Sequence, residues 1–419
     1  MACKILVVCL LVLGCESSVR APASHAGDPA WIAETLGCVV RTLVAQANLG
    51  DKPYSTIESS LSDLDKSPTS HDRAAQLANA VAAASEATGE DRLRVAPALV
   101  VALASVSLAD LGRPADARRL AERAAAGLSG LPEIDRATVR YLAAPVLARS
   151  GDPARALAVA GDDPLAIANL AIGIARAGDQ ARARQLLAPL HPSLDRRGHA
   201  LHGQLAAAEV WAGDLAAARR LVAAEPGVAG LETSYWVAEA ATASHHPEAR
   251  AVVDQAIVEA RRMATSSTSG EADSALLVWS ELVWLRDAIG GPEAAVIRTQ
   301  LDDWLVGGDG EVRRGLCPLN AVRALAAGMP AEADRLAGTL VTALQRMLIA
   351  EARGDHGAAL DALAQHQRER AQIDQRTLAA SPEVARGGIE VAEVQLWLAL
   401  ASAKPPPAIA ARFRALVCR

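Results

Sequence analysis

Two imidazoles stand one helical turn apart in His199-Ala-Leu-His202, with His191 nearby and His245-His246 further on. Residues at i and i+3 share a helix face, so this pair has the spacing to begin a metal site. A metal needs about three converging ligands, and no HExxH motif or acidic partner stands at ligand spacing. The histidines therefore read as solvated helix-surface residues, and no metal is expected. Asp302-Asp303 with Gly307-Gly308-Asp309-Gly310-Glu311 is acidic enough for calcium. It lacks the alternating oxygen ligands of a calcium-binding loop and reads as a turn. No phosphate-cradling GxxxxGK[ST] loop, GxGxxG turn or GxSxG nucleophile elbow is present, so no cofactor is expected. Glycoside cleavage requires two carboxylates on opposite sides of a sugar. With 48 acidic residues any such pair is unremarkable, and seven Trp, three Tyr and one Phe are few for sugar-stacking platforms. A binding protein without catalysis is the leading expectation, and an envelope hydrolase or lyase on an all-helical scaffold is the alternative.

The elements that would position any site are helices. The chain has 419 residues, 51% hydrophobic and only 3% aromatic, and about a fifth are Ala by count, far above ordinary usage. Ala is the strongest helix former, whereas strands favour β-branched and aromatic side chains, so the fold class expected is all-α. That much apolar side chain offsets ordering entropy and excludes disorder. A net charge of −6 with no basic run excludes nucleic acid as a partner. All but four of the 42 basic residues are Arg.

At the N-terminus, Lys4 leads into Ile5–Leu13, an apolar run of nine. Nine helical residues cover about half of a ~30 Å bilayer core, so the run suits a signal peptide and cannot span. It ends in Val12-Leu13-Gly14-Cys15, which resembles the lipobox of bacterial lipoproteins. The resemblance implies cleavage between Gly14 and Cys15, with acylation of Cys15 as the sole attachment to a membrane. The competing reading is ordinary cleavage after Ala21-Pro22-Ala23. Glu16 stands where an inner-membrane retention signal would carry Asp, so a periplasm-facing protein of the outer membrane is preferred over one of the inner membrane. Residues 1–14 are then signal and 15–27 a lipidated tether. Cys38, Cys317 and Cys418 remain, without CxxC spacing. One disulfide plus a buried thiol and three buried inert thiols both fit.

Beyond the tether, turn punctuation recurs at Gly112-Arg113-Pro114, Gly151-Asp152-Pro153, Gly178-Asp179, Gly213-Asp214, Gly328-Met329-Pro330 and Gly354-Asp355. Gly ends a helix, Asp caps the next, and Pro suits a first turn. Five residues after each Gly stands Ala: Ala117, Ala156, Ala183, Ala218, Ala333 and Ala359. A small residue there lets the second helix cross close to the first. This spacing resembles the tetratricopeptide repeat family. Ser244 with Ala249 and Gly290 with Ala295 are weaker matches, and the average spacing is then about 35 residues beside the family's ~34. The resemblance implies an α-solenoid of stacked helix–turn–helix hairpins in a right-handed superhelix, over residues 91–380. Residues 28–90 are expected as an N-terminal helical cap and 381–419 as a C-terminal one.

In that family the inner face of each first helix contacts a protein or peptide partner. Carrying the turn register back places Tyr141, Arg149, Ile172, Arg176, Trp211 and Trp284 on that face. Ala102, Ala168, Ala207, Ala238 and Ser280 are expected as small residues between them. The function implied is a membrane-anchored scaffold that accepts an apolar helix or extended segment, with arginines at the rim for acidic groups.

Overall fold

The computed structural model describes residues 35–43, 57, 61, 71–89, 96–190, 199–266, 269–307, 311–338, 342–380, 396 and 406–417. Gly14, Cys15 and the tether lie outside them. Among the described residues every regular element is a helix and none is a strand. The chain divides into two compact units, Met1–Ser17 with Pro114–Asp303, and Ser18–Arg113 with Trp304–Arg419. No described helix is long and apolar enough to cross a membrane.

After a helical stretch over residues 35–43 come α1 (His71–Thr88) and α2 (Pro97–Asp110). The first unit then runs through α3 (Pro114–Ala126), a short 3-10 turn, α4 (Glu133–Arg149), α5 (Pro153–Ala160), α6 (Pro164–Arg176) and α7 (Gln180–Leu187). It continues with α8 (His199–Trp211), α9 (Leu215–Ala224), α10 (Gly227–Ala243), α11 (Ala249–Ser266) and α12 (Ser269–Ile289). Helix α13 (Pro292–Val306) contains the division between units, and α14 (Glu311–Ala326), α15 (Pro330–Ala337), α16 (Ala343–Ala352), α17 (His356–Ala380) and α18 (Pro407–Val417) follow. In the polar stretch Thr265–Gly270 the described residues are helical, since α11 reaches Ser266 and α12 starts at Ser269.

The joints between helices repeat one backbone geometry. At Gly178 (φ 99°) the N–H donates to Ala175 O at 2.9 Å, and the next N–H, of Asp179, donates to Ile174 O at 3.2 Å. These bonds satisfy carbonyls that a helix end otherwise orphans, and they require a left-handed residue. The same two bonds recur at Gly112, Gly151, Gly213, His245, Gly328 and Gly354. Asp152, Asp179, Asp214 and Asp355 then cap the next helix, each accepting from the amide three residues on. Ala117, Ala156, Ala183, Ala218, Ala333 and Ala359 are all 0% exposed, at the places where the second helix crosses the first.

Two expected joints differ. The left-handed residue near Ser244 is His245 (φ 52°), one position later. At Gly290 the N–H donates to Arg286 O and Asp287 O, and Gly291 is left-handed too (φ 107°). Ala294 is buried there and Ala295 is exposed. The buried position after this double-glycine joint thus comes four residues after Gly290, one earlier than at the regular joints.

Packing explains why the two kinds of helix read differently. In the first unit α4, α6, α8, α10 and α12 touch in succession, while α5, α7, α9 and α11 each pack on the first helix before and the first helix after. A first helix thus has neighbours on several sides. Helix α6 buries Ala166, Ala168, Leu170, Ala171, Gly173, Ile174 and Ala175 around most of its girth. Helix α3 buries only the single stripe Ala117, Leu120, Ala121, Ala124 and Ala125. In the second unit α1 packs on α2, α14 on α15 and α16, and α17 on α16 and α18.

Candidate functional site

The first-helix face of α4, α6 and α8 is built from residues far apart in sequence. Asn169 Nδ2 donates to Tyr141 O at 2.8 Å, Gln204 Nε2 donates to Asn169 Oδ1 at 3.0 Å, and Tyr141 Oη donates to Gln204 Oε1 at 3.4 Å. This ring of three bonds ties three successive helices at one level. Gln204 is buried, while Tyr141 and Asn169 are half-buried, so the polar ring runs from the partly open face into the packing between helices. Beside it the helices touch closely. A Cβ on Gly173 would stand 2.7 Å from Pro145 O, and one on Gly203 would stand 2.6 Å from Trp236 Cδ1.

Nearer the turns, Arg149, Arg176 and Trp211 occupy one repeated place, two residues before the left-handed Gly151, Gly178 and Gly213. The Arg176 guanidinium lies over the Trp211 ring, 5.5 Å from its centroid. Such cation–π contacts contribute about 0.5–1 kcal/mol at exposed sites and hold both groups in place. Arg176 is exposed, and Arg149, Ile172 and Trp211 are half-buried. Five of the six expected residues therefore stand on α4, α6 and α8 with some surface open, and Arg176 and Trp211 are in contact.

Trp284 is different. It is 8% exposed, with Arg298 against its ring at 6.0 Å and the Arg298 guanidinium paired with Asp287. The small residues expected to line the open face are sealed as well: Ala102, Ala168, Ala207, Ala238 and Ser280 are each at most 4% exposed. They are small because helices meet there. Asn169 and Gln204 were not among the expected residues. Each stands nine residues before a turn glycine, a spacing that shows in the sequence once the register is known.

The histidines and acidic residues sort differently. His202 Nδ1 faces the buried Glu225 at 3.3 Å, and Thr233 Oγ1 donates to the other carboxylate oxygen at 2.6 Å, so His202 is not on an open surface. Asp302 is buried within α13 rather than in a turn. Among the described residues no group of three or more His, Cys, Asp or Glu converges as a metal site. No family model and no curated protein sequence matches this chain.

Proposed function

We propose that the protein is a lipid-anchored, periplasm-facing binding scaffold. In this reading it is an α-solenoid of tetratricopeptide-like hairpins with a right-handed superhelix, attached through acylated Cys15 to the outer membrane. It holds an apolar helix or extended segment of another protein, without catalysis. The observation that carries the reading is the first-helix face of α4, α6 and α8, where the polar ring lies on the same helices as exposed Arg176 stacked on half-buried Trp211. Support for stacked hairpins comes from the recurring joint and from first helices that touch in succession. Successive first helices line one side of such an array.

The binding claim is tested with a photo-crosslinking residue placed in cells at Ile172, and separately at Arg184 on α7. Adducts from position 172 and none from 184 are expected; equal labelling would remove the first-helix face as the partner surface. Cys15→Ser should abolish membrane retention. A wild-type mature N-terminus at Ser24 without lipid would end the anchoring claim.

A further inference from the structure

The open face of the first helices carries charges of opposite sign at its two ends. On α6 the stripe Leu165, Asn169, Ile172 and Arg176 is half-buried or exposed, and so is the stripe Glu232, Trp236, Glu239 and Ala243 on α10. Both stripes step by four, three and four residues, which keeps each on one side of its helix. Both end two residues before a left-handed turn residue, Gly178 and His245, so they share one register. Arg149 and Trp211 hold that last place on α4 and α8.

These four helices touch in succession, so the row runs from basic to acidic. Arg149 and Arg176 stand on α4 and α6, and Glu232 and Glu239 stand on α10. Between them lie Trp211 on α8 and Trp236, whose ring packs against α8 at Gly203. Trp211 uses the flat face of the Arg176 guanidinium, whereas a carboxylate is met through the N–H groups in its plane, so the two contacts are compatible. We propose that this face takes an extended partner segment with separated charges. Its acidic end lies over α4 and α6, its apolar side chains over the two indoles, and its basic end over α10. The inference rests on the first-helix face being the partner surface, and it adds the partner's chemistry and polarity. Charge complementarity selects this occupant. A wholly acidic segment is repelled by Glu232 and Glu239, and a wholly basic one by Arg149 and Arg176. An uncharged one strips water from all four without replacing it. The span fits as well. Packed helices lie about 8–10 Å apart, so Arg176 and Glu239, two first helices apart, are separated by about 16–20 Å. That is about five or six extended residues at ~3.3 Å each.

Three fluorescent nine-residue probes of one composition test this against the full chain purified from membranes. Two have separated charges, Glu-Glu-Gly-Leu-Phe-Leu-Gly-Lys-Lys and the same residues in reverse. The third is the mixed isomer Glu-Lys-Gly-Leu-Phe-Leu-Gly-Lys-Glu. At least one separated probe should bind about tenfold tighter than the mixed isomer, and the gap should shrink at high salt. Equal binding of all three overturns the charge order and leaves the partner surface standing. Binding by none overturns the charge order too, and the partner surface is then judged by the adducts at Ile172. A photoreactive group on the acidic end should mark α4 or α6, and one on the basic end should mark α10; both ends marking one helix would overturn the proposal. Arg149→Glu with Arg176→Glu makes the row acidic throughout and should abolish the preference for the separated probe, with helical circular dichroism intact. Should that variant not fold, Glu239→Gln removes a single charge and should narrow the preference by about threefold. An undiminished preference in either variant overturns the proposal.

Discussion

The joint at Gly178 is held by local backbone bonds and one cap, whereas the joint at Gly290 adds a buried guanidinium that reaches three helices. At Gly178 two main-chain bonds end α6, the Asp179 carboxylate caps α7, and Ala183 sits fully buried at the crossing. At Gly290 the residue after the first glycine does not make the long back-bond seen elsewhere. There Arg286, 1% exposed, donates to Gly290 O, to Asp254 at 2.6 Å and to Glu293 at 3.3 Å. Helices α11, α12 and α13 are thereby held by one guanidinium. A joint built from local backbone depends on residues near in sequence, and a side-chain joint depends on a long-range ion cluster. Substitutions should therefore be felt in different ways.

The largest effect is expected at the side-chain joint. Arg286→Met removes three bonds from a buried guanidinium, and because Asp254 and Glu293 are 41% and 63% exposed the loss is less than for a fully buried pair, about 2–3 kcal/mol. Asp179→Ala at the other joint removes a single cap and should cost about 1 kcal/mol. Urea denaturation of the two variants measures the difference, and equal losses would erase the contrast.

A second expectation concerns pH. The turn at Gly354 has the same backbone bonds as Gly178, but its third preceding residue is Glu351 where the other has Ala175. Burial pushes the Glu351 carboxyl up to about 7 from an ordinary 4.5. Between those values the unfolded chain binds fewer protons than the folded one. Stability is then greatest below pH 4.5 and falls as pH rises to 7, by roughly 2–3 kcal/mol from this group. Glu351→Gln should flatten that part of the stability–pH curve, and an unchanged slope would refute the assignment.

Crossing packing gives the next contrast. Ala183→Leu should overpack α6 against α7 and cost ~1–3 kcal/mol, whereas Ala295→Leu on an exposed face should stay within about 0.5 kcal/mol. Thermal melts monitored by circular dichroism separate the two, and a neutral Ala183→Leu would mean that the crossing has slack. The smallest effect has the opposite sign. His245 carries a left-handed backbone that the other joints of this type give to glycine, so His245→Gly should stabilise by about 0.5–1 kcal/mol. A destabilised variant would show that its imidazole makes a contact worth more than the backbone relief.

The residues themselves explain what was legible. Gly-Asp turns with Ala five residues on are local signals, because capping, left-handed φ and a close crossing all act within about a helical turn. All six expected crossings are accordingly sealed. At the two weaker joints one part of the pattern shifts: the left-handed backbone falls on His245 in place of Ser244 with Ala249 still buried, and Gly290 is left-handed with Ala294 buried in place of Ala295. Trp284 is sealed because Arg298 of α13 lies against its ring, a contact that its spacing from Gly290 does not reveal.

Sequence alone determined the all-helical class, the helix ends at the six Gly-marked joints and the six crossing alanines, since propensity and caps are properties of neighbouring residues. Only the tertiary structure decided which residues share a surface. Tyr141 meets Gln204 across 63 residues, and Arg176 reaches Trp211 on the next first helix. It also decided that Arg286 is the latch of an irregular joint and that Trp284 is sealed. Those contacts depend on how one hairpin is rotated against the next. That rotation sums packing over whole helix faces, and no short stretch of sequence encodes it.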